Sequence, residues 1–275
     1  RTIINRLIVD YRKPIDEILN DIHNKNFMES GSISYANWSK SFSLSFGKYI
    51  KERKLSIINK ILANSKPMKD IKNLKIDRGL EGGKSSLKSK GKYEILIPDN
   101  IKRYRTDNSK NYIDKYKRSF TKDRILIIRI RSLTIPIRII ASFEDKKRAT
   151  LKTLQQIFFE DRSDYSLKYL LGLLNSKLLN FYCNHYLVDD INKKYISRLP
   201  IRTIDFSNPD DVAMHNQLVQ LVDIMLELNR RLQSAPTESD RERIRLQIQS
   251  TDRKIDNLVY KLYNLTEDEI QTIEG

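Results

Sequence analysis

The chain has 275 residues, enough for two or three folding units, and its 51 Lys and Arg against 35 Asp and Glu give a formal net charge of +16. Its single cysteine, Cys183, excludes an internal disulfide and a cysteine-cluster zinc site, and no apolar run is long enough to span a membrane. We therefore expect a protein of the reducing cytoplasm with no membrane partner.

The positive charge is concentrated in one segment. Residues 48–149 hold 29 Lys and Arg against 11 Asp and Glu, an excess of 18. These cations alternate with apolar, strand-like runs, which indicates a folded basic surface and not a disordered tail. Such a surface favours a polyanionic partner, although a solvated face that only aids solubility is the alternative.

The first 60 residues predict a helical segment. Apolar residues recur at steps of three and four from Ile3 to Tyr11 and from Ile15 to Ile22, and the same period returns over residues 48–65. The polar stretch 30–46 between them predicts a loop around Trp38. Because the chain begins at Arg1 without an initiator Met, we expect it to be part of a longer polypeptide.

A β-rich composition follows Pro67. A loop rich in Gly, Ser and Lys over residues 82–92 leads into a predicted strand at 93–97. Three more runs have strand composition, at residues 124–130, 135–141 and 155–159.

The remainder of the chain predicts helices. Residues 169–182 form a strongly apolar helical pattern. Two heptad-type patterns follow, from Leu218 to Leu232 and from Ile244 to Leu262, and the short break between them predicts an antiparallel hairpin. Capping boxes are expected at Ser239 with Glu242 and at Thr266 with Glu269. The fold class predicted from these elements is α+β, with a β-rich domain between an N-terminal helical segment and the helical hairpin.

Several of these segments resemble a known family. The run YLLGLLNSKLLNFYCNHY at residues 169–186 and the loop YISRLPI at 195–201 resemble the TaqI-like C-terminal specificity domain of adenine-N6 DNA methyltransferases and fused type II restriction-modification enzymes. The segment at 65–83 is similar to the opening of that family and of type I specificity subunits. Residues 255–269 are similar to its helical tail, so the resemblance covers about residues 61–275.

The resemblance implies a division of the chain and a function. Residues 1–60 would connect to a missing catalytic domain, 61–205 would be the DNA target-recognition domain, and 206–275 the helical hairpin tail. It implies sequence-specific recognition of double-stranded DNA for the methyltransferase domain of the same parent protein. We expect no catalysis and no cofactor in this chain, whereas the parent enzyme would use S-adenosylmethionine.

The candidate DNA contacts lie between residues 84 and 138, since Lys and Arg neutralise phosphates and side chains of a flexible loop can approach base edges. The candidates are Lys84, Ser85, Ser86, Lys88, Lys90, Lys92, Arg103, Arg105, Arg129, Arg131 and Arg138. The last three alternate along predicted strands, and a solvated sheet face explains that pattern equally well.

The search for catalytic motifs favours a non-catalytic chain. There is no Asn/Asp-Pro-Pro-aromatic motif, and the Gly-rich run precedes a strand where a cofactor loop would follow one. Asp99, Glu144 and Lys146 follow predicted strands in the order of a Pro-Asp…Glu-x-Lys nuclease core, which would use Mg²⁺. Short patterns of this kind arise often by chance. The rival hypotheses are therefore a non-specific nucleic-acid-binding and protein-interaction module and, less favoured, a magnesium-dependent nuclease.

Overall fold

The computed structural model describes residues 3–5, 32–34, 52–129, 135, 137–186 and 191–275. Over these residues the chain forms an α+β fold with small antiparallel sheets and C-terminal helices, as the sequence predicts. None of the described helices combines the length and the low polarity needed to cross a membrane.

The strands are β1 (Ile3–Asn5), β2 (Ser32–Ser34), β3 (Ser65–Pro67), β4 (Leu74–Arg78), β5 (Tyr93–Leu96), β6 (Ile101–Lys102), β7 (Arg105–Thr106), β8 (Tyr112–Ile113), β9 (Arg124–Ile128), β10 (Ala141–Glu144), β11 (Ala149–Thr150), β12 (Leu154–Phe159) and β13 (Pro200–Arg202). The helices are α1 (Glu52–Ala63), α2 (Leu167–Asn175), α3 (Lys177–Tyr186), α4 (Lys193–Ile196), α5 (Pro209–Ser234), α6 (Glu238–Leu262) and α7 (Glu267–Glu274).

The predicted helix at the N-terminus is wrong where the structure describes it. Strand β1 pairs antiparallel with β2, and Ile4 lies opposite Ile33. β-Branched isoleucines favour extended backbone, and their three- and four-residue spacing does not distinguish a helix from a short strand in so short a run. The rest of residues 1–51 lies outside the described residues, whereas helix α1 confirms the helical period that follows.

The main sheet is a four-stranded antiparallel layer in the order β10, β9, β12, β4. In its centre Ile157 of β12 lies opposite both Ile125 of β9 and Ile76 of β4. All five residues of β9 are buried, because apolar clusters cover both faces of the sheet. The predicted strands at 93–97, 124–130 and 155–159 are confirmed, with ends shifted by one or two residues.

The predicted strand at 135–141 is wrong over most of its length. Among residues 135 and 137–140 the structure has no strand, and β10 begins only at Ala141. Two buried asparagines replace the strand hydrogen bonds there. The Asn180 Oδ1 accepts the N–H groups of Arg138 and Ile139 at 2.7 and 3.1 Å, and the Asn175 Oδ1 accepts that of Ala141 at 3.0 Å. Because side chains satisfy this backbone, its apolar residues need no partner strand.

The single helix predicted over 169–182 is two helices, α2 and α3. Ser176 separates them with an extended backbone at φ −67° and ψ 153°. Its hydroxyl donates to the Leu173 carbonyl at 2.7 Å and accepts the Leu179 N–H at 3.2 Å, so it closes one helix and caps the next. Asp256 of α6 supports the same junction, because its Oδ1 accepts the Lys177 N–H at 2.9 Å.

The C-terminal hairpin is confirmed as α5 packed against α6. The cap of α6 differs from the prediction, because Thr237, and not Ser239, accepts the N–H of Asp240, at 3.1 Å. The capping box at Thr266 and Glu269 is confirmed, with the Thr266 N–H donating to Glu269 Oε2 at 2.8 Å.

One apolar core joins the three segments that the sequence analysis separates. It contains Ile58 of α1, Ile157 of the main sheet, Leu170 of α2 and Leu258 of α6. The boundaries at residues 60 and 205 stay predictions, and within the described residues they are not boundaries between separate cores.

A charged side chain in the hairpin seam, the buried apolar face of α5 and α6, should destabilise the protein. Ile255 is fully buried in the main core, so Ile255→Asp should lower the free energy of unfolding by at least about 3 kcal/mol, since it buries an unpaired carboxylate. Urea unfolding measures the change, with Lys254→Asp at the exposed neighbouring position as the matched control. Equal losses in the two variants would contradict the assigned seam.

Asp256 should make stability depend on pH. Burial raises its pKa to about 6, against the hydrogen bond from the Lys177 amide, which lowers it. Because the folded pKa lies above that of the unfolded chain, the stabilisation is fully present below about pH 4 and is lost as the pH rises through about 6.

Asp256→Asn keeps the acceptor for Lys177 and removes this titration. The variant should therefore gain about 2 to 3 kcal/mol over the wild type between about pH 4 and 7, measured by denaturant unfolding at each pH. The exposed Asp161→Asn is the control. A difference that does not vary with pH would refute the assignment.

Candidate nucleic-acid interface

The loop at residues 82–92 is an ordered, anchored segment. Its backbone forms a 3-10 turn at Lys84–Ser86, where the Ser86 hydroxyl donates to the Gly83 carbonyl at 2.7 Å. Farther along, Lys88 and Tyr112 exchange backbone hydrogen bonds of 3.0 and 2.8 Å. The Lys88 ammonium also pairs with Asp114 at 2.5 Å, and that hydrogen bond lowers the pKa of the Asp114 carboxyl.

The candidate residues of this loop face solvent as a group. Ser85, Lys88, Lys90 and Lys92 are exposed, and Ser86 is half-buried. The Lys92 ammonium lies 5.3 Å from the centre of the Tyr93 ring. For Lys84 the structure describes only the backbone. The loop therefore presents cations and a hydroxyl on one surface, and their contact with DNA stays a prediction.

Three of the candidate arginines face the interior or the helical hairpin. Arg138 is 1% exposed. Arg103 pairs with Asp252 of α6 through hydrogen bonds of 2.9 and 2.8 Å and also donates to the Asn175 carbonyl. Arg105 pairs with Asp107, which also accepts from Gln233 of α5. These guanidinium groups serve the packing of the protein, so we leave them out of the interface.

The remaining strand arginine lies at the mouth of a cleft. Arg129 follows β9 at the end of the main sheet, where its carbonyl accepts the Ile191 N–H at 2.9 Å and so fixes the segment that leads into α4. The cleft between the sheet and this segment has a volume of about 340 Å³. Arg131 lies outside the described residues.

The cleft contains residues that the sequence analysis missed. Besides Arg129 it is lined by Asp77 and Arg78 of β4, Gln155 of β12, and Asn192, Lys193 and Lys194 of the α4 segment. The lining thus contains four cationic side chains and a single carboxylate, that of Asp77. One signal was visible in the sequence, because Gln155 and Gln156 are adjacent polar residues in an otherwise apolar strand. The approach of Lys193 and Lys194 depends on tertiary structure.

The cleft and the loop belong to one continuous basic surface. Arg78 pairs with Glu81 at 2.5 Å, and the other oxygen of Glu81 pairs with Lys152 at 3.2 Å. The Lys117 ammonium group lies between the cleft and the loop, where it donates to the Arg78 and Gly79 carbonyls at 2.9 and 3.2 Å. Glu81 stays ionised here, since its hydrogen bond with Lys152 lowers its pKa.

The nuclease hypothesis is not supported by the position of Glu144. This carboxylate is 1% exposed and binds the Arg148 guanidinium through contacts of 2.6 and 3.2 Å. Arg124 lies beside them, fully buried; it donates to the Phe120 carbonyl at 2.9 Å and to that of Arg148, and burial lowers its pKa to about 10. Within the described part of the chain, no three His, Cys, Asp or Glu side chains could together hold a metal ion.

Comparison with known proteins identifies the recognition segment. Residues 83–201, which carry the loop and most of the cleft, match the sequence model of the TaqI-like C-terminal specificity domain. This segment of the chain is similar to that specificity domain. The match confirms the family resemblance that the helix and loop motifs indicate.

The other comparisons add less. No curated protein matches the chain. Among solved structures, that of a type I restriction-modification system S subunit from M. genitalium aligns with 11% sequence identity and a TM-score of 0.38. The alignment covers 77% of this chain and 53% of that one, so the chain spans about half the length of that subunit. Function is therefore inferred from the family match and the site geometry.

The Glu144 pair should be structural. Glu144→Ala leaves the buried Arg148 without its main carboxylate and should lower the free energy of unfolding by about 3 to 5 kcal/mol. Denaturant unfolding measures the loss, and Asp145→Ala at the exposed next residue is the control. Wild-type stability in Glu144→Ala, together with magnesium-dependent DNA cleavage that the variant lacks, would restore the nuclease hypothesis.

Proposed function

We propose that this chain is the DNA-recognition module of a restriction-modification adenine-N6 methyltransferase and that it binds a specific sequence of double-stranded DNA in the cytoplasm. The observation that carries the proposal is the specificity-domain match over residues 83–201. The basic surface of that same segment supports it, because phosphate neutralisation supplies most of the non-specific affinity of DNA-binding proteins.

The proposed mechanism is positioning. Lys90 and Lys92 of the loop and Lys193 and Lys194 of the cleft contact phosphates and set the register of the duplex. Side chains of residues 82–92 contact base edges. The catalytic domain of the parent protein, which would bind S-adenosylmethionine, then flips and methylates an adenine in the DNA that this module holds. The chain itself performs no chemistry in this scheme.

The second candidate function is non-specific nucleic-acid binding by the same basic surface, with the α5–α6 hairpin as a protein-binding element. Exposed Ile224 and Leu246 on the hairpin favour it. Competition separates the two functions: specific binding survives an excess of random DNA, and non-specific binding does not.

Binding to duplex DNA should depend steeply on salt. With about six to ten phosphate contacts, affinity should fall roughly 10³- to 10⁵-fold between about 50 and 200 mM salt. Lys90→Ala and Lys193→Ala should each reduce the slope of log affinity against log salt by about one unit, whereas Lys261→Ala on the exposed side of α6 should not change it.

The measurement is fluorescence anisotropy with labelled duplexes, repeated with a sequence pool that the wild-type chain has enriched from random duplexes. A flat salt titration would eliminate DNA binding by this surface. Binding without enrichment of any sequence would favour the second candidate function.

A further inference from the structure

Gln155 forms part of the cleft wall in an unusual state for a polar side chain. It is 2% exposed, and its Oε1 is buried with no hydrogen-bond partner among the described residues. A buried amide oxygen left without a donor lowers stability, so at a cleft it is available to accept a hydrogen bond from a bound ligand. The Gln155 Oε1 is a hydrogen-bond acceptor, and a phosphate oxygen cannot satisfy it.

The sheet geometry surrounds this amide with cations. Gln155 of β12 lies directly opposite Arg78 of β4 in the antiparallel register. Side chains opposite each other on neighbouring strands share one face of the sheet, and both residues line the cleft. Lys193 and Lys194 line the same cleft from the α4 segment and are exposed. The cleft therefore combines a buried acceptor with exposed cations.

This shape does not suit the edge of a paired base. Base edges in a duplex are reached by protein elements that protrude into a groove. A buried amide in a concave site can be reached only by a group that leaves the base stack. The volume of about 340 Å³ is within the range of sites that hold one small molecule, and a nucleotide is of that size.

We propose that the cleft binds one unstacked nucleotide of the DNA that this module recognises. Gln155 Oε1 accepts a hydrogen bond from the exocyclic amino group of its base, and Arg78, Lys193 and Lys194 hold its phosphate. The preferred base is one with an amino group, such as adenine or cytosine, and unsubstituted purine, which is adenine without its amino group, is discriminated against because its base carries no N–H donor. This inference rests on the proposed function and adds a site for a nucleotide displaced from the duplex.

The experiment compares three duplexes of one sequence: fully paired, with one additional unpaired adenine, and with one additional unpaired purine nucleotide whose base is adenine without its amino group. An unpaired nucleotide leaves the stack at a lower energetic cost than a paired one. Wild-type protein should bind the unpaired-adenine duplex roughly 3- to 10-fold more tightly than the unpaired-purine duplex, as expected for one hydrogen bond. Fluorescence anisotropy at fixed salt gives the affinities.

Two kinds of variant separate the parts of the site. Gln155→Met keeps the length of the side chain and removes the acceptor, so it should abolish the preference for the unpaired-adenine duplex over the unpaired-purine duplex. The double variant Lys193→Ala/Lys194→Ala changes only exposed side chains and should weaken binding to both unpaired duplexes by the same factor. Lys261→Ala is the control for a lost surface charge.

The outcomes distinguish this inference from the proposed function. Equal wild-type affinity for the unpaired-adenine and unpaired-purine duplexes overturns the inference even if Gln155→Met does not fold, and so does an unchanged preference in a folded Gln155→Met protein. Binding to the fully paired duplex in either case leaves the proposed function standing. Failure to bind any of the three duplexes would instead contradict the proposed function.

Discussion

Close packing around helix α2 is the constraint on which the rest of the structure depends. Every residue of this helix from Tyr169 to Asn175 is buried, between the main sheet on one side and α5 on the other. Gly172 allows that approach, because a Cβ atom there would lie 2.9 Å from Leu218 and 3.0 Å from Val222 of α5. A larger residue would force the hairpin away from the helix. The recognition domain and the hairpin thus form one body through a helix that has no solvent-exposed face.

The burial of charged side chains determines which cations remain on the protein surface. The sequence shows a large excess of cations in residues 48–149, but the fold uses several of them internally. Arg124, Arg138 and Arg148 are all less than a tenth exposed. Buried guanidinium groups are tolerated only with acceptors around them. Carbonyl groups provide them for Arg124, and the carboxylates of Glu144 and Glu94 provide them for Arg148. The charge that faces a polyanion is therefore carried mainly by lysines.

The elements that sequence reasoning predicted well are those set by local patterns. The hairpin follows from apolar residues at steps of three and four, and the strands at β5, β9 and β12 follow from short runs that combine isoleucine, leucine and aromatic residues. Prediction failed where a distant side chain decides the structure. The side chains of Asn175 and Asn180 accept hydrogen bonds from the backbone at the start of β10. No local sequence pattern indicates hydrogen bonds between residues more than 30 positions apart.

The same distinction applies to the candidate site. The loop at residues 82–92 was visible in composition, since Gly, Ser and Lys together indicate an exposed segment. The cleft was not, because Arg78, Gln155 and Lys193 are far apart in the chain and meet only after the sheet forms. The sequence alone does not distinguish Arg103 and Arg105 from exposed cations. In the structure α6 provides Asp252 as the partner of Arg103, and α5 provides Gln233, which donates to Asp107.

The contacts of that turn also have a mechanical consequence. Arg103 joins the β6–β7 turn to Asp252 near the middle of α6, and Asp107 joins the strand that follows to Gln233 near the tip of α5. Two attachment points along a hairpin made of helices of 26 and 25 residues prevent it from pivoting about its base. The hairpin is therefore a rigid projection about 35 to 40 Å long, at a helical rise of 1.5 Å per residue. A domain or protein that binds the hairpin would therefore set the angle between the basic surface and the helical axis of a bound duplex.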